Sequence, residues 1–304
     1  MSAIVPPTST AAPSTAGRRK WLPPVLLLIP GAVWLGVFFV VPLIFLASQS
    51  IQTGTVEEGY KVTWHLANYT YAFQHFWDQF ARSLAYALLS TVFALLIGYP
   101  LAYAIAQKAG RFKSILLVIV IAPFFTSFLL RTLAWKTILS SNGLVVGFFR
   151  STHLISLTNA LGLTNGDQVL NSPLAVVAGL TYNFLPFMVL PLFASLDRLD
   201  PRLLEAAGDL YASPITAFRQ VTLPLSLPGV VAGTLLTFIP AAGDFINAQL
   251  LGNTNTTMIG NVISGQFLEV LDYSVAAALS VSLMLTIVVL VALYVRKAGT
   301  EELV

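Results

Sequence analysis

The stretch EAAGDLYASPITAFRQVTLP, Glu205 to Pro224, places Glu205, Asp209 and Arg219 between two long apolar runs. Charged side chains are expensive in hydrocarbon, so if those runs cross a membrane this stretch lies outside it. Its punctuation is too regular for slack linker. Asp200 followed by Pro201 reads as an N-cap and then proline at the first helical position, where the missing N–H costs nothing. Leu203, Leu204, Ala207 and Leu210 or Tyr211 recur at helical spacing and make one apolar face, with Arg202, Glu205 and Asp209 elsewhere on the surface. Ser213 before Pro214 repeats the cap signal and starts a second short helix through Thr222. Leu223–Pro224 and Leu227–Pro228–Gly229 then turn the chain into the next apolar run. A helix–turn–helix is expected, with the small residues Ala206, Ala207, Gly208 and Ala212 letting another surface come close to its bend. An amphipathic loop resting on lipid headgroups fits the same spacing. Nucleic acid is excluded as a partner, because a recognition helix needs exposed basic residues and here acids accompany the arginines.

The remainder of the chain says what solvent surrounds it. Of 304 residues, 56% are hydrophobic and 10% charged, with a mean hydropathy of +0.80. Soluble domains carry roughly 25% charged residues, so this is an integral membrane protein. With no cysteine there is no disulfide framework or thiol nucleophile, and His65, His75 and His153 are scattered without zinc-helix spacing.

Six spans of about the length a bilayer core requires fall near residues 25–47, 83–106, 114–135, 174–196, 228–250 and 275–295. The implied organisation is a disordered tail over 1–20, a first transmembrane helix over 21–48 and an extracytoplasmic loop over 49–82. A helical core over 83–297 follows, with a cytoplasmic loop at 197–227 and a short tail over 298–304. A signal peptide competes for the first run, but that run exceeds the roughly 7–15 apolar residues a signal carries. Prolines 30, 42, 100, 123, 186, 191 and 240 lie inside the runs and imply kinks.

Lys and Arg set the orientation. With the N-terminus inside, Arg18, Arg19, Lys20, Lys108, Arg111, Lys113, Arg198, Arg202, Arg219, Arg296 and Lys297 are cytoplasmic. Lys61, Arg82, Arg131, Lys136 and Arg150 are outside. That excess puts both termini and the Glu205 stretch in the cytoplasm. The aromatic residues of 49–82, from Trp64 to Trp77, suit either an interfacial belt or a protein contact. The segment SSNGLVV in the 136–173 loop signals a turn and a short interfacial helix.

At the Glu205 stretch the chain resembles a known family. EAA, followed by Asp209, Ala212, Ser213, Phe218 and TLP, is similar to the cytoplasmic EAA loop of type I ABC importer permeases. APFFTSFLLRTLAW (Ala122–Trp135), NFLPFMVLPLFASL (Asn183–Leu196) and MIGNVI (Met258–Ile263) are similar to the spermidine/putrescine branch of that family. The resemblance implies an all-α, MetI-like fold of six transmembrane helices in a bacterial plasma (inner) membrane. It also implies a second homologous permease, two cytoplasmic ATPase subunits that hold ATP-Mg, and an extracytoplasmic substrate-binding protein. By the same resemblance, Arg202, Glu205 and Arg219 would make polar contacts in the ATPase groove. Leu203, Ala206, Ala207 and Tyr211 would form its apolar floor, with Asp209 and Ala212 in the same loop. One residue departs from the family pattern: Tyr211 stands where glycine is usual, and glycine would permit a positive φ at the bend that a tyrosine resists. A differently shaped turn, or an added contact, is expected there.

No Gly-Lys pair occurs, so the chain carries no P-loop, binds no cofactor of its own and is not itself an enzyme. Asp244, the one carboxylate deep in an expected span, lies roughly 24 Å along its helix from Pro228. Flanked by Asn247 and Gln249, it suits a polyamine cation; a pair with Arg131 that locks two helices suits it equally. Tyr182 and Asn183, near the midplane of the fourth span, would line a path or make a helix–helix hydrogen bond. Gly229 and Gly233 form a GxxxG for close helix packing. Glu269 and Asp272 fall in the last outer loop. Three other classes stay open: an ABC permease for an organophosphonate, opine or sugar, a gradient-driven transporter, and a membrane enzyme. The gradient-driven transporter would show internal repeats, which are not visible. The enzyme would show a metal cluster or nucleophile–base set in the spans.

Overall fold

The computed structural model describes residues 22–152, 154–160, 162–164, 166 and 168–298, most of them helical. The tails expected at 1–20 and beyond 298 lie outside the described residues, as does His153. The chain divides after Ser48 into two compact units.

The first unit holds α1 (Leu22–Leu35), a π turn at Gly36–Val40 and α2 (Val41–Gln49). Leu27, Trp34, Phe38, Phe39 and Phe45 are all exposed around it. A helix apolar on every side has lipid, not water, as its solvent. This is the expected first span.

The second unit begins with a small antiparallel hairpin, β1 (Gln52–Thr53) against β2 (Lys61–Val62). α3 (Ala67–Tyr103) follows, 37 residues long and so about 55 Å at 1.5 Å per residue. The expected second span is only its inner part. Residues 67–82, read from sequence as loop, are helical, with one kink at Phe76 (φ −124°, ψ 16°). The cause lies in the spacing of the aromatics. Phe73 and Phe80 stack at 5.4 Å, and Ala72 and Phe80 are buried with Ile259, Val275 and Leu279.

α4 (Lys113–Ile121) and α5 (Phe128–Ile138) were expected as one span kinked at Pro123; the break there is a bend of 93°. Pro123 opens a 3-10 turn there, and Thr126 and Ser127 are extended (ψ 153° and 133°). Short α6 (Leu144–Ser151) and α7 (Leu154–Ala160) lead to α8 (Pro173–Asp197), which starts where the Ser172 side chain accepts from the Ala175 N–H. Next come α9 (Pro201–Asp209), α10 (Pro214–Ala217), a π turn at Phe218–Thr222 and α11 (Leu223–Leu225). A 63° bend then enters α12 (Leu227–Ala242). The fifth span, expected to be continuous to about residue 250, stops at Gly243 and restarts as α13 (Ile246–Leu251). α14 (Ile259–Gly265), a π turn at Gln266–Val270 and α15 (Tyr273–Ala298) complete the chain. Among the described residues four helices are long and apolar enough to cross a membrane, and six spans result when each bent pair is one span.

α3, α8 and α12 pack together as the core. A Cβ built on Gly229 would lie 2.6 Å from the Ser195 Cβ and 2.7 Å from the Pro191 carbonyl oxygen; one on Gly233 would lie 2.8 Å from the Met188 sulfur. Backbones approach this closely only where no side chain intervenes, which is how small residues drive helix association in lipid. Gly98 of α3 seats against Met188 from the other side. We expect Gly229→Ala to lower stability by about 1–3 kcal/mol through overpacking, read as a drop in the unfolding midpoint of the detergent-solubilised protein. Gly147→Ala, at an exposed helix position with nothing within 4 Å of the new atom, is the matched control and leaves the midpoint unchanged or slightly raised.

Candidate functional site

Two regions bring the sequence-derived residues together. The first is the polar loop between α8 and α12. Asp200 accepts from the Arg202 N–H at 3.0 Å and Ser213 from the Thr216 N–H at 3.2 Å, so both helices of the pair start on side-chain caps. Each cap serves one of the orphan donors of a helix start. The loop ties back to the core through the second helix. Phe218 sets its ring edge-on to Tyr99 at 5.6 Å and to Tyr103 at 6.5 Å. Nearby, the hydroxyls of Tyr99 and Ser226 share a hydrogen bond of 2.7 Å. Upstream, Lys113 pairs with Asp197 at 2.6 Å, and Gln107 donates to the Leu196 carbonyl.

The first helix stands free of the core, its strongest contacts being with α10 and the π turn. Arg202, Leu203, Glu205, Ala206 and Asp209 are exposed on it, while Ala207 and Ala212 are half-buried. Arg219 is exposed on the π turn. The turn between the helices keeps its full geometry in spite of Tyr211. The Ala212 N–H donates to the Ala207 carbonyl (3.0 Å) and the Tyr211 N–H to the Gly208 carbonyl (2.9 Å). This is the paired closure in which the residue past the helix takes a left-handed conformation, and Tyr211 does so at φ +59°. For an L residue with a Cβ that conformation costs roughly 1–2 kcal/mol. The expectation of a differently shaped turn is therefore corrected: the bend is retained and the tyrosine is strained into it.

The second region is a buried polar chain between helices. Asn183 of α8, 1% exposed, donates through Nδ2 to Thr132 of α5 (3.2 Å) and to the Asn247 Oδ1 of α13 (2.9 Å). Asn247 in turn donates its backbone N–H to the Asp244 carboxylate at 2.8 Å. Three separate helices meet at these side chains. Asp244, 9% exposed, sits in the break between α12 and α13 and caps the restart. The break is also braced from α14, where the Asn261 side chain donates to the Phe245 carbonyl at 2.8 Å. Gly260 is the close contact there, since a Cβ on it would lie 2.7 Å from the Gly243 carbonyl oxygen. The MIGNVI segment thus holds a helix end in place. Its own first turn is clamped by Ser83, which accepts from the Ile259 N–H at 2.7 Å.

Arg131 does not pair with Asp244. It is 8% exposed, its guanidinium lies over the rings of Phe124 (5.6 Å) and Phe128 (5.7 Å), and its Nε has no partner among the described residues. Asn183 Oδ1 and Asn247 Nδ2 are likewise unpartnered. Tyr182 points elsewhere, edge-on to Trp135 at 5.4 Å. Glu269, with Gln249, Asn253 and Asn261, lines a separate polar cavity of about 420 Å³, while Asp272 caps the start of α15 by accepting from the Val275 N–H. Sequence reasoning missed the cap role of Asp244 and the part played by Thr132. Gly243–Asp244 repeats the stop-and-restart punctuation recognised at Asp200, and that signal was available.

A double-mutant cycle of Asn183→Ala and Asn247→Ala should return a coupling of roughly 1 kcal/mol, the scale of interhelical hydrogen bonds in membranes. Asp244→Ala should destabilise by about 1 kcal/mol through loss of the cap, whereas Asp244→Asn, which retains an acceptor, should leave the unfolding midpoint nearly unchanged.

Residues 66–298 match the family described as binding-protein-dependent transport system inner membrane component. The chain is 35% identical over 265 residues to the spermidine/putrescine transport system permease protein PotB of Haemophilus influenzae, covering 86% of this chain and 90% of that one. PotB of Escherichia coli K12 is 34% identical, with 86% and 93% covered. The inner membrane ABC transporter permease protein YdcU of the same organism is 32% identical, with 91% and 90% covered. In fold it is similar to a chain of a bacterial ABC transporter involved in the import of the acidic polysaccharide alginate, at TM-score 0.70 and 20% identity, covering 92% of this chain and 96% of that one.

Proposed function

We propose, starting from the fact that the chain belongs to the binding-protein-dependent transport system inner membrane components, that it is the transmembrane subunit of an ATP-driven importer for polyamines such as spermidine and putrescine. The observation that carries the substrate class is the similarity to PotB permeases along 86% of the chain. An extracytoplasmic binding protein delivers the substrate, and a second, homologous permease completes the path. Two cytoplasmic ATPases, holding ATP-Mg, supply the work. The chain is a multi-pass protein of the bacterial inner membrane, with both termini cytoplasmic by its Lys/Arg distribution.

In this reading the loop of α9 and α10 docks on an ATPase. Arg202, Glu205 and Arg219 make the polar contacts, Leu203, Ala206, Ala207 and Tyr211 the apolar ones, and Asp209 and Ala212 border them. Closure of the ATPases moves the helix pair. Phe218 passes the displacement to Tyr99 and Tyr103 of α3, and the α3–α8–α12 core reorients as a body. Alternating access then opens the path inward. Asp244, Asn247, Asn183 and Tyr182 border that path, where the Asp244 carboxylate and the unpartnered Asn183 Oδ1 offer acceptors to an ammonium. One observation favours a second reading, import of a different small solute such as an organophosphonate or sugar. Arg131, a buried cation without a carboxylate, suits an anion better than a polyamine.

Reconstitution with the partner permease, ATPase and binding protein in proteoliposomes tests both levels. Spermidine or putrescine uptake should require ATP, and Asp244→Asn should reduce it while leaving assembly intact. Glu205→Lys should weaken ATPase association by roughly tenfold, equivalent to about 1.4 kcal/mol. Uptake of an anionic solute with none of polyamine would sink the substrate assignment. Uptake driven by an ion gradient without the ATPase would sink the coupling assignment.

A further inference from the structure

Tyr211 is the one side chain of the polar loop whose presence the fold of this chain works against. Tyr211 is 98% exposed and, among the described residues, its phenol makes no hydrogen bond or ring contact. Its backbone is nevertheless held at φ +59°, a region that glycine or asparagine enters far more readily than an aromatic residue. Residues kept in such a conformation, with nothing inside the molecule to reward them, point to a use outside it. Leu210, 82% exposed, and Ile215 on the far side of the turn flank the ring with further unburied apolar surface. The turn therefore presents an apolar tip with a phenol at its end, braced by the two backbone hydrogen bonds that close the helix.

Lipid does not fit as the occupant of this tip. Asp209 and Glu205 are the exposed charges closest to Tyr211 along the chain, with the exposed Arg202 and Arg219 farther from it, so an anionic membrane surface repels the tip itself. A protein surface with an apolar pocket and a basic rim complements the whole tip. We propose that Tyr211 is a specificity-determining contact for the ATPase subunit. Its ring fills an apolar pocket on that partner, its hydroxyl meets an acceptor at the pocket's base, and the strained turn fixes the direction in which the ring projects. The proposal rests on the reading that this loop docks on an ATPase. Tyrosine serves such contacts well, since a rigid ring with few rotatable bonds loses little entropy on docking.

The test titrates the purified ATPase of the same transport system onto the intact permease complex in lipid nanodiscs. It compares the wild type with Tyr211→Asn, Tyr211→Gly, Tyr211→Phe and Glu205→Lys, and reads the unfolding midpoint of each permease alongside the Kd. Asparagine tolerates the left-handed turn without adding the flexibility of glycine, so it removes the ring and keeps the geometry. We expect Tyr211→Asn and Tyr211→Gly to raise Kd about tenfold, with unfolding midpoints equal to or above the wild type. Tyr211→Phe should keep Kd within roughly threefold of the wild type, since it lacks only the hydroxyl contact. Wild-type affinity in Tyr211→Asn and Tyr211→Gly, with Glu205→Lys still weakened, would overturn this inference and leave the docking reading standing. Wild-type affinity in Glu205→Lys as well would overturn the docking reading itself.

Discussion

The close approach of α12 to α8 is the constraint on which the rest of this chain depends. Gly229 and Gly233 bring the two backbones together at Pro191 and Met188, with no room for even one added carbon at either position. In lipid there is no hydrophobic drive between apolar helices, so close packing and interhelical hydrogen bonds must do that work. The polar loop is the connection between these two helices, and its helix pair is presented from a fixed base because α8 and α12 are locked just above it. The loop extends away from that base, stiffened by its own caps and held to α3 through Phe218.

Proline placement explains how a locked core still allows motion. Pro186 and Pro191 each remove a backbone hydrogen bond from α8, and Pro240 does the same close to the end of α12. The freed carbonyls lie in an interior where neighbouring helices and side chains supply partners. Gly98 and the glycine pair clasp α8 tightly around Met188, whereas the broken end of α12 depends on Asp244 and Asn261 rather than on continuous helix. Stiffness and compliance thus alternate along the same helices.

What could be read in advance follows the range of the interaction responsible. The caps at Asp200 and Ser213 are contacts between residues two or three apart, and both were legible. So were the glycine pair and the ends of α8 and α15, because a hydrophobic run stops where lipid stops. A kink at Pro123 was legible but its 93° size was not, since residues on both sides of it are apolar and hydropathy carries no direction. The early start of α3 was hidden for the converse reason: aromatic residues such as Phe73 and Phe80 suit a membrane interface and a helix-packing stripe alike. At the polar chain, the residue types were evident but their pairing was not. Whether Arg131 faces Asp244 or two phenylalanines depends on how α5 is rotated after the bend, and that rotation is set by contacts with α8 and α13 far away in sequence.

The length of α3 has a mechanical corollary. One helix carries the hairpin-proximal aromatic stripe near one end and the Tyr99–Tyr103 seat for Phe218 near the other, with a kink at Phe76 and a proline at Pro100 within the seat. Between those two points it behaves as a rod. A load that tilts it at the Phe80 end therefore displaces the Phe218 seat, and a pull on the Phe218 seat tilts the Phe80 end by the same linkage. Reciprocity of this kind is a thermodynamic requirement wherever two surfaces bias one shared element. It makes the two faces of the protein each other's effectors without any intervening chain of side-chain switches.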